Sequence, residues 1–156
     1  MAVAPGVDAG QVEALLTGMR RRGAHVELVA PTLGAIETPR GSTLMPDRTF
    51  NACSPLDYDA VVVPDGDLLR LRDDGAAIAF AARAYLHGVP IGLVGAGAEL
   101  LQGIAASSMQ DGGRGDRGGI VHDTRACAGF VEALACRIAA TRRSPTRRST
   151  TASPAD

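Results

Sequence analysis

The spacing of apolar residues changes several times along this chain, and each change marks a predicted element. After Asp8, a suitable N-cap, apolar side chains recur at helical spacing over residues 12–19, which predicts a helix. Residues 25–30 then alternate as a half-buried strand does. Because a short apolar run, residues 1–4, precedes the helix, we predict a βαβ unit and a parallel sheet.

The later pattern continues this alternation of strands and helices. Residues 58–64 contain a continuous β-branched run, which is typical of a strand buried on both faces. We therefore predict an α/β, flavodoxin-like, doubly wound fold with a mostly parallel sheet and helices on both faces. The other predicted elements are a hairpin around 39–41, an irregular segment at 49–56, helices at 68–71 and 74–87, a strand at 90–94, an edge strand at 119–121 and a last helix at 124–141.

The pattern assigns residues 1–141 to one domain. Residues 142–156 are rich in Arg, Ser, Thr and Pro and are predicted to form a disordered tail. The glycine-rich segment 103–119 is too polar and permissive to hold one conformation unaided. No apolar run approaches the ~20 residues of a membrane span, and no signal peptide is evident. We expect a cytoplasmic protein with no membrane partner.

Composition excludes some functions. A net charge of −1 argues against binding nucleic acid through the overall field of the domain. All the basic residues are Arg, which together with abundant Ala and Gly suggests a GC-rich bacterial genome. The three cysteines, Cys53, Cys127 and Cys136, match no zinc or redox spacing. We expect them to be small buried hydrophobic residues in a reducing cytosol, and we predict no metal site.

The strand at 90–94 leads into a turn of small residues and then into a helix. This is the strand-turn-helix elbow on which many α/β enzymes mount a nucleophile. Here Val94, Gly95, Ala96 and Gly97 supply no thiol, hydroxyl or carboxylate, so we predict no catalytic residue. Amides at a helix start attract anions, but the turn lacks the third spaced glycine of a dinucleotide site, and we predict no cofactor-binding residue.

Five segments taken in order identify a resemblance. Residues 6–12, 29–34, 39–42, 58–66 and 118–121 occur in the order found in the C-terminal domain of large-subunit (clade 2) catalases, which this chain resembles. That domain belongs to the class I glutamine amidotransferase-like superfamily, together with intracellular cysteine proteases and deglycases. The resemblance covers nearly the whole predicted domain.

The resemblance implies where catalytic residues would stand in an active relative. A cysteine would lie at the elbow, with a later histidine and an acidic residue from the loop after the first strand. His122 and Asp8 are closest to the last two places, but a structural or solvent-facing histidine and a helix cap explain them without catalysis. Asp65 and Gly66 end a strand, as turn residues usually do.

The resemblance also implies that catalase chemistry lies elsewhere. That chemistry needs a heme, an axial tyrosine, and a distal histidine with an asparagine, and in the resembled family these belong to a barrel domain that is absent here. We predict no cofactor for this chain, with heme only in the missing catalase core. Tyr58 and Tyr85 are predicted to be packing residues.

Three functions follow as hypotheses. The first is a non-catalytic domain that docks on a catalase core or on itself and stabilises an assembly in hydrogen peroxide defence. Since residues 1–4 make a short first strand, we expect a fragment of a longer catalase, an upstream start, or an oligomer partner. The second is a protease- or deglycase-like enzyme that uses one of the three cysteines. The third is a binding module for a small ligand or, less favoured, nucleic acid, through a basic tail containing Arg142, Arg143, Arg147 and Arg148.

Overall fold

The computed structural model describes residues 1–100, 120–124 and 128–143. Strands and helices alternate along these residues, with two short 3₁₀ turns, Phe50–Ala52 and Pro55–Asp57, between them. The strands are β1 (Val29–Ala30), β2 (Ile36–Glu37), β3 (Thr43–Leu44), β4 (Arg48–Thr49), β5 (Val61–Val63), β6 (Ile91–Val94) and β7 (Ile120–Asp123). The helices are α1 (Ala9–Arg20), α2 (Leu69–Arg72), α3 (Gly75–Leu86) and α4 (Ala128–Arg143), and residues 97–100 are also helical.

The first residues of the chain lie in the middle of the sheet. The N–H of Ala2 donates to the carbonyl of Val62 (2.8 Å), and the N–H of Val3 donates to the carbonyl of Val29 (2.9 Å). These bonds join the parallel pair β1 and β4 to the parallel set β5, β6 and β7. The order is β4, β1, the first segment, β5, β6, β7, so the predicted flavodoxin-like, doubly wound fold is confirmed.

The predicted irregular segment at 49–56 is a partial error, because it begins with the end of a strand. β4 pairs parallel with β1, with Val29 opposite Arg48. Just before it, a carboxylate oxygen of Asp47 accepts a hydrogen bond from the N–H of Leu28 (2.7 Å). A two-residue strand has no alternation to reveal it, so its pairing could not be predicted from the sequence pattern.

Alternate side chains of β5 separate the core into two layers. Val61 and Val63 pack in a cluster that contains Phe80 of α3. Val62 points to the other face, into a cluster that contains Phe130 of α4 and residues of α1. Since successive side chains of a strand point to opposite faces, the apolar run at 61–63 needs a helix layer on each side.

The antiparallel hairpin of β2 and β3 confirms the turn predicted at 39–41, whereas other boundaries differ from the prediction. Pairing along the strand predicted at 25–30 is limited to 29–30, and the edge strand runs over 120–123 instead of 119–121. α4 ends at Arg143, two residues beyond the predicted end, so Arg142 is helical and not part of a tail. The whole glycine-rich segment 103–119 and residues 144–156 lie outside the described residues.

Arg142 is fixed by a contact that the sequence pattern did not indicate. Its Nε donates to Oδ1 of Asp59 (3.1 Å), and its Nη2 donates to Oδ2 (2.5 Å). This two-point bond to the carboxylate raises the pKa of the guanidinium. The pair is exposed, so we assign it a role in positioning the last turn of α4 and only a small share of stability.

The amine of Met1 is buried at the amino edge of the sheet, the edge at which the parallel strands begin. It donates to the carbonyl oxygen of Glu27 (2.6 Å). Burial lowers the pKa of this amine from 8.0 to about 6, against smaller opposite effects of the Glu27 and Asp47 carboxylates. A protein that starts at Met1 therefore folds more readily with this amine uncharged.

This amine predicts a pH dependence of stability. Between pH 8 and pH 6 the unfolded chain takes up a proton that the folded chain does not, so stability falls as the pH falls, by roughly 3 kcal/mol. Above pH 8 the amine is uncharged in both states and contributes no difference. Urea unfolding of the free-amine protein and of an N-acetylated form at several pH values measures this. Identical pH slopes for the two forms would contradict it.

Candidate functional site

The elbow predicted after the strand at 90–94 is present at the carboxyl edge of the sheet. β6 ends at Val94, Gly95 takes a positive φ of 52°, and residues 97–100 are helical. The N–H of Gly95 donates to the carbonyl of Asp123 at the end of β7 (2.9 Å), which ties the turn to the neighbouring strand. This is the place where a doubly wound fold presents its functional groups.

The carboxylate of Asp65 lies directly against the elbow. Its Oδ1 accepts hydrogen bonds from the N–H of Gly66 (2.9 Å) and from the N–H of Ala96 (2.8 Å). A Cβ built on Gly95 would lie 2.5 Å from that oxygen and closer still to the other two carboxyl atoms. The space that a side chain at the elbow needs is therefore filled by Asp65, which sequence reasoning treated only as a turn residue.

Two loops beside the elbow approach each other closely at Gly6 and Gly66. Gly66 has a φ of 140°, and a Cβ there would lie 2.6 Å from the oxygen of Gly6 and 2.6 Å from the Cα of Val7. The N–H of Asp8 donates to the carbonyl of Asp65, and the N–H of Asp67 donates to that of Gly6, both at 2.9 Å. These contacts fix the two loops beside the elbow as one rigid backbone frame.

The resemblance places Asp8 and His122 nearest to catalytic positions. In the structure Asp8 is the N-cap of α1, and His122 is an exposed residue of a strand. Oδ1 of Asp8 accepts the N–H of Gln11 (3.1 Å), which confirms the predicted cap of α1. His122 is exposed on β7, where it pairs in register with Leu93. Within the described residues, no hydrogen bond joins His122 to Asp8 or to a thiol.

The prediction that all three cysteines are buried is wrong for Cys136, which is exposed on α4. An amphipathic helix has an exposed face, and this position falls on it. Cys53 is half-buried, and its thiol donates to the carbonyl of Thr49 (3.3 Å). Cys127 lies outside the described residues. Among the described residues, no group of three or more His, Cys, Asp or Glu side chains could hold a metal ion.

A cavity of about 920 Å³ opens at the opposite, amino edge of the sheet, around Met1 and the end of α4. There the hydroxyl of Tyr58 donates to Oε2 of Glu27 (2.7 Å), which also lies 3.1 Å from Nε of Arg48. The hydrogen bond from Tyr58 is the main cause of a lowered pKa for Glu27. Burial, and then the bond to Glu27, raise the pKa of Tyr58.

Tyr58 and Tyr85 both pack against the hydrophobic core, as predicted from the sequence. The ring of Tyr58 is tilted against that of Phe80, with 6.3 Å between centroids, and Tyr85 is half-buried against the same core cluster. With its hydroxyl bound to a carboxylate and its ring packed, Tyr58 is a structural residue.

No described helix has the length and apolar character needed to cross a membrane.

The fold and the elbow together define a class of protein: a flavodoxin-like α/β domain whose nucleophile elbow has glycine and alanine where a reactive side chain would stand. The chain belongs to the DJ-1/PfpI family, whose model matches residues 1–110. This confirms the superfamily named from the sequence.

Curated relatives confirm the other half of the resemblance. The chain is 41% identical over 102 residues to catalase HPII of Mycobacterium avium, a match that covers 64% of this chain and 14% of the relative. It is 32% identical over 92 residues to catalase-2 of Bacillus subtilis, covering 59% of this chain and 13% of that protein. The chain thus spans about a seventh of the length of the catalases it matches.

Solved structures share the fold. Oxidized DJ-1 of Toxoplasma gondii superposes with a TM-score of 0.67 at 20% identity, over 90% of this chain and 95% of that one. At this identity the likeness establishes the fold and nothing more.

Proposed function

We propose that this chain is a non-catalytic, catalase-associated domain that docks on a catalase core, or on further copies of itself, and stabilises the assembly in hydrogen peroxide defence. The observation that supports this most is the 41% identity to part of a catalase HPII, over 102 residues. Because that match leaves most of the catalase uncovered, the peroxide chemistry is assigned to the remainder and not to this domain.

The elbow supports the non-catalytic part of the proposal. Acyl or carbonyl chemistry at such a turn needs a nucleophile with a base in reach. At this elbow Gly95 has no side chain, and the neighbouring carboxylate of Asp65 accepts the N–H of Ala96. We therefore propose no catalytic residue for the chain acting alone. We also propose that the chain lies in the cytoplasm, beside the catalase.

We propose that the described residues hold no heme. A heme iron needs an axial ligand with a free donor atom and a flat apolar slot for the ring. Tyr58 has its hydroxyl bound to Glu27 and its ring packed on Phe80. The cavity beside it is bordered by apolar side chains and by charged ones, among them Arg22, Arg48 and Asp59. We therefore place the heme in the catalase core and propose no cofactor here.

The test is association. Size-exclusion chromatography with light scattering of the full chain, alone and mixed with the heme core of the 41%-identical catalase lacking its own C-terminal region, measures it. We expect heme absorbance to elute with this chain, and the core to lose activity more slowly on heating. An unrelated protein of similar size and charge is the control.

Two results would contradict this function. One is a chain that remains monomeric, elutes apart from the core and leaves its heat inactivation unchanged. The other is a protease or deglycase activity of the chain alone that disappears after alkylation of Cys53, Cys127 or Cys136. The second result would favour the enzyme hypothesis, because a thiol must be ionised and accessible to act as a nucleophile.

A further inference from the structure

The side of helix α3 that faces solvent is almost entirely apolar. Between Gly75 and Leu86 the helix has a single charged residue, Arg83. One side of the helix is buried against the core through Ala77, Phe80, Ala81 and Ala84. The opposite side, which we call the α3 face, is exposed and consists of Gly75, Ile78, Ala79, Arg83 and Leu86. Its two large apolar side chains, Ile78 and Leu86, are 37% and 53% exposed.

This composition is unusual for a helix surface in contact with water. A surface helix normally has polar and charged residues opposite its buried stripe, whereas a helix that is apolar all round is normally covered on both sides. α4 has the normal pattern, because its exposed positions include Glu132, Arg137 and Arg142. Neighbouring exposed apolar side chains on one face are typical of a contact with another protein.

The charges at the two ends of the α3 face have opposite signs. Asp73 lies just before the helix, Arg83 lies in its last turn, and both are exposed. Neither side chain forms an ion pair with another described residue. Ile78 lies midway between them in sequence. A second copy placed antiparallel, with Ile78 at the two-fold axis, therefore brings Arg83 of each chain to Asp73 of the other.

We propose that the α3 face binds a second copy of this chain in an antiparallel, two-fold arrangement. A two-fold contact uses the same patch on both chains, so the patch must complement itself, as the end charges of α3 do. The small residues Gly75 and Ala79 allow the two helices to approach closely, and a Cβ at Gly75 would meet nothing within 4 Å.

This proposal rests on the proposed function and deepens it, because it names the surface through which copies of the chain associate. Two helices of 12 residues make a small interface when they lie side by side. Small interfaces belong to weak complexes, so we expect a dimer that separates on dilution.

Sedimentation velocity of the full chain at increasing concentrations measures the pairing. We expect the wild type to shift from monomer to dimer as its concentration rises. Ala79→Glu introduces a charge close to the axis, opposite its own copy, and should weaken dimerisation at least about 10-fold. Ala133→Glu is the matched control, because Ala133 is an exposed alanine of α4 outside the α3 face. It should leave dimerisation unchanged, and circular dichroism should show that both variants are folded.

An exchange of charges tests the antiparallel direction. Arg83→Glu and Asp73→Arg each create two like-charged contacts in a two-fold dimer, and each variant alone should dimerise about 10-fold more weakly than the wild type. In an equal mixture of the two variants every charge faces its opposite. We therefore expect a mixed dimer of about wild-type strength, which a purely structural effect of either substitution would not produce.

The proposal is overturned by a wild type that stays monomeric, by a dimer that Ala79→Glu leaves intact, or by charge variants that pair no better mixed than alone. Its failure differs from failure of the proposed function. A monomeric chain that still elutes with the heme core overturns the α3 contact and leaves the proposed function standing. A chain that pairs through α3 but leaves the elution and heat inactivation of the core unchanged supports the α3 contact and contradicts a role with the catalase.

Discussion

Replacing Gly66 with alanine is expected to lower the free energy of unfolding by about 3–5 kcal/mol, a large part of the total for a domain of this size. The new Cβ would lie 2.6 Å from the oxygen of Gly6, 2.6 Å from the Cα of Val7 and 2.8 Å from the nitrogen of Asp8. All three are backbone atoms in a hydrogen-bonded frame, so they cannot move aside cheaply. Urea unfolding followed by circular dichroism measures the loss.

Gly41→Ala separates this collision from backbone strain. Gly41 also has a positive φ, 77°, but a Cβ there would meet nothing within 4 Å. We expect it to cost only about 1–2 kcal/mol, the price of a left-handed conformation for a residue with a side chain. Equal losses for the two variants would mean that the close approach of the Gly6 and Gly66 loops is not important for stability.

The second large effect is expected from Phe130→Ala, which should lower the free energy of unfolding by about 3–5 kcal/mol. Phe130 is fully buried on α4, and its ring packs over Gly92 of β6, where a Cβ would lie 2.7 Å from Cζ. Removing the ring leaves a cavity between α4 and the sheet that the rigid strand cannot fill. The denaturant midpoint of the full chain reports the change.

Leu86→Ala is the control for a large apolar side chain on a helix. Leu86 is 53% exposed at the end of α3, so we expect a change within about 0.5 kcal/mol. If Phe130→Ala were equally mild, α4 would not be docked on the sheet as described, and the cavity beside its last turn would have a different shape.

These two results bear on function because both concern the folded shape of the domain. The Gly66 loop holds the N–H that Asp65 accepts, and α4 covers the sheet face on which Val62 and Val94 lie. A domain that acts through assembly must be folded to present its contact surface. We therefore expect both variants to reduce the association proposed above in proportion to the folded protein that they lose.

Part of the candidate site could be predicted from local pattern. Asp8 before an apolar helix indicates a cap, and Gln11 does donate to it. The small residues after β6 indicate an elbow without a nucleophile, since no fold can supply a side chain that the sequence lacks. Asp65 could not be interpreted in this way. An aspartate before a glycine at a strand end is ordinary turn chemistry, and its partner Ala96 lies 31 residues further on.

The sequence by itself determined most of the helices and strands, that the apolar run at 61–63 is buried on both faces, and that the elbow has no reactive group. These follow from the period of apolar residues and from residue type, which are local properties. Only the tertiary structure decided the pairing of β4 with β1, the bond between Arg142 and Asp59 across 83 residues, and the position of the Asp65 carboxylate at the elbow. Those depend on how distant backbones approach one another, and this is set by packing of the whole domain.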